Sequence, residues 1–215
     1  MTCRPVFTAA AALAAAVLLA APALAQKPAK PSASAQFPNL ACTAPFVKNA
    51  SHARMREAFG AGNVAYKDVP GPEGTTEKAT VVFGKDPTRR LEVRWADGKK
   101  RSGLLMAQIK GKSGWVGPNG LRLGMPLEEV EKLNGRAFTL TGFSWDLGGY
   151  ADLSGGALQK PPGGCHVNLR FEPTVDLNEA QTNEITGDRE ISSSLPAMRE
   201  SKPVVTEVNI GYAFE

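Results

Sequence analysis

Few side chains in this sequence combine the type and the spacing that catalysis or metal binding requires. Histidine occurs only twice, as His52 and His166. His166 follows Cys165, but neighbours on a strand point to opposite faces of a sheet, so this thiol and imidazole would not meet. His52 lies at the start of a predicted helix, with no cluster of further ligands near it. We therefore expect no zinc site and no other cofactor.

Three longer motifs resemble functional sites, but each departs from the pattern that it resembles. The segment 142–146 (Gly-Phe-Ser-Trp-Asp) lacks the second glycine of a nucleophile elbow and reads as strand. The segment 176–180 begins like a calcium loop but has Ala180 at the fifth position. Three glycine doublets between residues 148 and 164 open no helix, as a phosphate-binding loop would. Since no nucleophile, base and orienting group can be assembled, the sequence predicts a protein that is not an enzyme.

Basic residues concentrate in the stretch 85–112, which has nine of them against three acidic residues. They are Lys85, Arg89, Arg90, Arg94, Lys99, Lys100, Arg101, Lys110 and Lys112. The formal net charge of the whole chain is only +4, too mild for a nucleic-acid-binding protein. The uneven placement of the charge matters more for partner selection than its total. The alternative is a solvated hairpin whose lysines discourage edge aggregation.

We expect the working surface on a hairpin of two strands within this stretch, 91–96 and 104–109. Alternation directs the apolar residues of the first strand to the core and leaves its arginine pointing outward. The predicted contact residues are Arg94 on the strand and Lys99, Lys100 and Arg101 at the tip. An arginine beside lysines suits an anionic partner, either an acidic protein patch or the phosphates of an outer membrane.

The first 25 residues have the features of a secretory signal peptide. Arg4 supplies the positive charge, residues 7–21 form an apolar run, and Ala23-Leu24-Ala25 is an A-x-A cleavage site. Cleavage after Ala25 would leave a soluble periplasmic or extracellular protein without a membrane span. Residues 26–41 are rich in Lys, Pro, Ala and Ser, which predicts a flexible leader.

Two of the three cysteines remain after cleavage, Cys42 and Cys165. An even pair in an oxidising compartment predicts a disulfide, with two free thiols as the alternative. A lipid on Cys42 is not expected, because Asn39 stands where a lipobox has leucine.

The clearest helix signal covers residues 126–134. Glu128 and Glu129 lie in its first turn, apolar residues recur at helical spacing, and Gly135 follows as a stop. A second helix is predicted over 51–62, with Ser51 as its N-cap, and several β-type runs follow each helix. This order predicts an α+β fold of two tandem repeats with the helices on one face of antiparallel sheet.

The predicted repeats are residues 42–123 and 124–215. The second contains a long insertion, 174–203, with six acidic residues against three basic ones and few large apolar groups. Its length and polarity favour disorder.

The helix signal also carries a family resemblance. Gly124-Met125, Pro126-Leu127-Glu128-Glu129-Val130 and Leu133-Asn134-Gly135 resemble the opening G-M-(S/T/P)-x-E-E-V-x-x-L-G of the BLIP-like superfamily. This group includes the β-lactamase inhibitory protein and BamE (SmpA/OmlA)-type assembly lipoproteins. The resemblance implies a small secreted or envelope α+β module, in some members a tandem repeat, that binds other proteins. No Gly-Met precedes Ser51 in the first half, and no binding residue is carried over.

These observations together predict a secreted, periplasmic, non-enzymatic protein-interaction module of the cell envelope. Its partner would be a protein or another anionic envelope component, not a nucleic acid. One alternative is a specific inhibitor of a secreted hydrolase, which would use loops and a concave sheet face. Another is a hydrolytic enzyme whose site the motifs do not reveal.

Overall fold

A computed structural model describes residues 1–2 and 38–213. Every described helix and strand lies within the unit Ser32–Glu215. The predicted signal peptide beyond Thr2, its cleavage site and most of the predicted leader lie outside the described residues. No helix in the described ranges is long and apolar enough to cross a membrane.

Helices and antiparallel strands are both present, which confirms the α+β class. The helices are α1 (His52–Phe59), α2 (Leu127–Asn134), α3 (Glu179–Ile185) and α4 (Pro196–Glu200). The first strands are β1 (Val64–Pro70), β2 (Thr76–Val82), β3 (Leu91–Asp97) and β4 (Ser102–Lys110). The later strands are β5 (Thr139–Thr141), β6 (Ala151–Asp152), β7 (His166–Glu172), β8 (Glu190–Ser192) and β9 (Val204–Gly211).

Six strands form one sheet in the order β1-β2-β3-β4-β9-β7, and three short ones form a second sheet in the order β6-β5-β8. The first half of the chain makes a simple meander, β1 to β4. In the second half, β7 and β9 pair with each other and extend that same sheet. The strand order therefore differs between the halves, and the structure does not show the predicted tandem repeat.

One face of the large sheet is apolar and carries the main core. Leu91, Val93, Ile109 and Val208 point to this face and are fully buried. The buried apolar residues of all four helices belong to the same hydrophobic cluster, among them Met55 of α1 and Val130 of α2. The helices and this face of the sheet thus contribute to one hydrophobic core.

The central helix α2 follows its sequence signals closely. Leu127 and Val130 are fully buried, and Gly135 ends the helix with a left-handed backbone, φ 75°. The third residue of the predicted apolar stripe, Leu133, is instead 36 % exposed. Asn134 is the residue buried at this end, where its side chain bonds the backbone of residues 136 and 158.

The start of the folded region lies earlier than the predicted leader boundary at residue 41. Leu40 is fully buried and its N–H donates to the carbonyl of Val116 at 2.8 Å. The predicted Cys42–Cys165 disulfide is present, with Cα atoms 5.6 Å apart. Gly163 comes so close to Cys42 that an added Cβ would overlap its carbonyl, and its φ is 98°. The bridge therefore fixes the N-terminal segment beside β7.

The segment 174–203 contains α3, β8 and α4, so the prediction of disorder was wrong. Asn178 caps α3, and together with Gln181 it forms a capping box. Ile185, Ile191 and Met198 enter the main core. Together with Ala197, these apolar residues and the α3 cap hold in place a segment whose sequence is mostly polar.

Candidate functional site

Beyond a small buried apolar cluster on β1 and β2 (Val69, Ala79 and Val81), the second face of the large sheet is polar, and its charged side chains pair with one another. We call it the polar face. Its members across strands β2 to β7, with Arg90 next to them, are Glu77, Arg90, Glu92, Arg94, Gln108, Lys110, Arg170, Glu207 and Asn209. Each of its cationic side chains has a carboxylate oxygen within 4 Å.

Glu92 is the most enclosed of these groups, at 2 % exposure. Arg90 donates to its Oε1 through Nη2 at 2.6 Å and through Nε at 3.0 Å. Lys110 Nζ lies 3.2 Å from Oε2, and Arg94 Nη2 lies 3.9 Å from it. Desolvation alone would raise the pKa of Glu92, but the Arg90 hydrogen bond and the charges of Lys110 and Arg90 outweigh it and lower the pKa.

Arg94 points away from the apolar core, as alternation predicts, but it does not offer an unpaired charge. Its Nε donates to Glu77 at 2.6 Å and its Nη1 to Gln108 at 3.3 Å. Its side chain is only 13 % exposed. The sequence could not reveal this pairing, because Glu77 comes from a neighbouring strand. Arg94 therefore belongs to the polar face and not to an open contact surface.

The other three predicted contact residues, Lys99, Lys100 and Arg101, lie exposed together at the β3–β4 turn. We call them the cationic tip. The side chain of Lys100 is 81 % exposed and its Nζ lies 3.5 Å from Asp97. The backbone N–H of Lys100 also bonds Asp97, which lowers the pKa of that carboxyl. The single carboxylate leaves the tip with a cationic excess.

The backbone of the cationic tip is held in place by the first part of the chain. Tyr66 of β1 donates its hydroxyl to the carbonyl of Gly98 at 3.1 Å. The guanidinium of Arg101 lies over the Tyr66 ring, 5.2 Å from its centroid. The N–H of His52 donates to the carbonyl of Arg101 at 2.9 Å. These contacts fix the turn, so its charges are presented in a defined arrangement.

A second group of cations surrounds a cavity of about 290 Å³ beside β1. Lys67, Lys85 and Arg89 line it, with Asp86 as its acidic residue. Asp86 is already engaged, because Thr88 and Arg89 hydrogen-bond it and lower its pKa to about 2. We call this the cationic cavity. Sequence analysis placed Lys85 and Arg89 in the basic stretch but missed Lys67, which only the β1–β2 pairing brings to them.

The candidate catalytic groups stay apart or have structural roles. The ring Nδ1 of His52 lies 2.9 Å from the Thr80 hydroxyl, which also accepts from Trp95. Burial, then Arg101 and Arg56, lower the pKa of His52. Ser144 lies in a turn with φ 69°, not in the strand that the sequence predicts. Within residues 38–213, no group of three His, Cys, Asp or Glu side chains could hold a metal ion.

Comparison with known proteins finds no relative of this chain. No family model matches the chain, and neither a curated protein nor a solved structure matches it. The function is therefore argued from the molecule itself.

Proposed function

We propose that this protein is a secreted, non-enzymatic protein-interaction module that binds an acidic partner through the cationic tip. The observation that carries this proposal is the contrast between two groups of charges. Across strands β2 to β7 every cation of the polar face has a carboxylate partner, whereas the tip has three cations and one carboxylate. Charges that are not neutralised within the molecule are those that attract a partner.

The fixed backbone of the turn supports the same role. A partner that meets an ordered loop does not have to supply the free energy of ordering it, so more of the contact energy appears as affinity. Exposed charges of this kind act mainly on the association rate, and salt screens them. We accordingly expect fast, salt-sensitive binding to an acidic surface.

The cross-link supports the proposed setting of the module. A disulfide that joins two distant parts of the chain persists in oxidising compartments. We place the protein in the periplasm or outside the cell, where the A-x-A site predicts its export.

The test is capture of partners from an envelope extract by three immobilised proteins. One is the wild type, the second is Lys99→Glu/Lys100→Glu/Arg101→Glu, and the third is Lys112→Glu/Lys132→Glu/Lys160→Glu. The third variant has the same change of charge on exposed lysines away from the tip. At about 20 mM salt, where screening is weak, the wild type and the third protein should capture the same acidic proteins and the second should not. At about 0.5 M salt all three should lose them. Equal capture by the tip variant at low salt would show that the tip is only a solvated turn.

A further inference from the structure

Strand β1 ends the large sheet and pairs on one side only within the described chain. Two hydrogen bonds fix which residues face β2: Phe83 N–H to Asn63 carbonyl, 2.7 Å, and Gly71 N–H to Thr75 carbonyl, 2.8 Å. Antiparallel pairs alternate, so the odd-numbered residues of β1 bond to β2. The backbone groups of Val64, Tyr66 and Asp68 therefore point away from the sheet.

The sequence of β1 is suited to choosing what can pair with this edge. Pro70 stands where an N–H would point outward, which is the position that an edge strand tolerates for proline. Lys67 and Asp68 are charged and exposed, which discourages pairing with an arbitrary apolar strand. Edge charge rejects some strands, but it attracts a strand of complementary charge.

The two sides of this edge are both cationic. On the side of the polar face, Lys67 and Lys85 line the cationic cavity, and neither makes an ion pair with a described residue. On the side of the apolar face, Tyr66 lies beneath the guanidinium of Arg101 in the cationic tip. The acidic residue of β1, Asp68, is neutralised by Lys78 at 2.8 Å. A strand added here would have cations on both of its faces.

We propose that β1 accepts an extended acidic peptide segment of the partner as a seventh strand of the sheet. Successive side chains of an added strand point to opposite faces. Its carboxylates would therefore alternate between the cationic cavity and the cationic tip. Main-chain hydrogen bonds to Val64, Tyr66 and Asp68 would supply affinity, and the carboxylates specificity. This inference rests on the proposed function and names its mode of binding.

The experiment uses synthetic peptides on the mature protein. The parent probe is a capped peptide of about eight residues, long enough to span β1, built from Glu, Thr and Val. In two further probes of the same sequence, every second backbone amide is N-methylated. One probe carries the methyl groups at its odd positions and the other at its even positions. A fourth has Gln in place of Glu. Affinity is measured by titration at low salt, and amide hydrogen exchange of the protein is followed with and without the parent peptide.

Strand addition predicts that one methylated peptide binds at least tenfold more weakly than the parent while the other binds like it. The reason is that only one alternating set of the peptide's N–H groups faces β1. The amides of Val64, Tyr66 and Asp68 should be slowed in exchange by the parent. Lys67→Glu/Lys85→Glu should weaken binding at least tenfold, and the matched Lys112→Glu/Lys160→Glu should leave it unchanged.

The contrary results separate the two proposals. If both methylated peptides bind like the parent, an acidic partner remains but strand addition is wrong. If the Gln peptide binds as well as the Glu peptide, charge does not select the strand and this inference fails. If the parent does not bind at all, strand addition is wrong, and the capture experiment alone decides whether an acidic partner binds the cationic tip.

Discussion

At the scale of single residues, Glu92 illustrates how this protein uses charge inside a sheet. A carboxylate at 2 % exposure is costly unless it is paired, and here three cations surround it. The pairing lowers its pKa despite burial. Such a group stabilises the fold only while it is ionised.

The first prediction concerns pH and Glu92. A folded-state pKa below the unfolded value of about 4.3 means that its contribution is fully present above that pH. The contribution is lost as the pH falls through the folded pKa. Urea unfolding between neutral and acidic pH should show the wild type losing stability below about pH 4.3, in part through this group. Glu92→Gln should cost about 3 kcal/mol at neutral pH and should flatten this dependence.

Glu57→Gln is the matched control for that series, because Glu57 is exposed on α1. It should change the free energy of unfolding by less than about 0.5 kcal/mol at any pH. A Glu92→Gln profile that parallels the wild type would mean that this carboxylate does not control the acid response.

The second prediction separates Arg94 from the contact surface. Arg94→Ala removes hydrogen bonds to Glu77 and Gln108 and should lower the free energy of unfolding by about 2 kcal/mol. Lys100→Ala, at the exposed tip, should cost less than about 0.5 kcal/mol. Binding of an acidic partner should respond in the opposite order: the Lys100 variant weakens it and the folded Arg94 variant does not. Loss of binding with unchanged stability in Arg94→Ala would return this arginine to the contact surface.

At the scale of elements, the sequence was most informative where a signal is local. The Ser51 cap of α1, the acidic first turn of α2 and the glycine after it lie within a few residues of the helices they define. Strand β1 carries no comparable local signal, because Val64–Pro70 has no clear alternation and ends in proline. The segment containing α3 was wrongly predicted to be disordered. Its few apolar residues are stabilised by packing against core residues that are distant in the sequence.

The third prediction concerns the disulfide, which links the N-terminal segment to the start of β7. A bridge that closes so long a loop stabilises mainly by restricting the unfolded chain. Cys42→Ser/Cys165→Ser should therefore lower the free energy of unfolding by about 2–5 kcal/mol. Urea unfolding measures this, and reduced wild type should match the double variant. A double variant as stable as the oxidised protein would show that packing around Leu40 alone fixes the segment.

At the scale of the whole molecule, the two faces of the large sheet differ in chemistry. Its apolar face belongs to the main core, and its polar face carries internal ion pairs across β2 to β7. The cationic tip and the cationic cavity lie at opposite sides of the β1 edge. The basic stretch, read from the sequence, identified the tip as exposed. It could not separate paired from unpaired cations, because pairing depends on which strands are neighbours: Glu77, the partner of Arg94, comes from β2.

The central claim is that an acidic partner contacts the cationic tip, and site-specific photo-crosslinking tests it most directly. A photoreactive residue replaces Lys99, Met106 of the polar face, or Lys160 in three separate proteins, each mixed with envelope extract at low salt. The account predicts a cross-link from position 99 alone, abolished at high salt, to a peptide rich in Asp and Glu. A cross-link from position 106 with none from position 99 would contradict it and assign binding to the polar face.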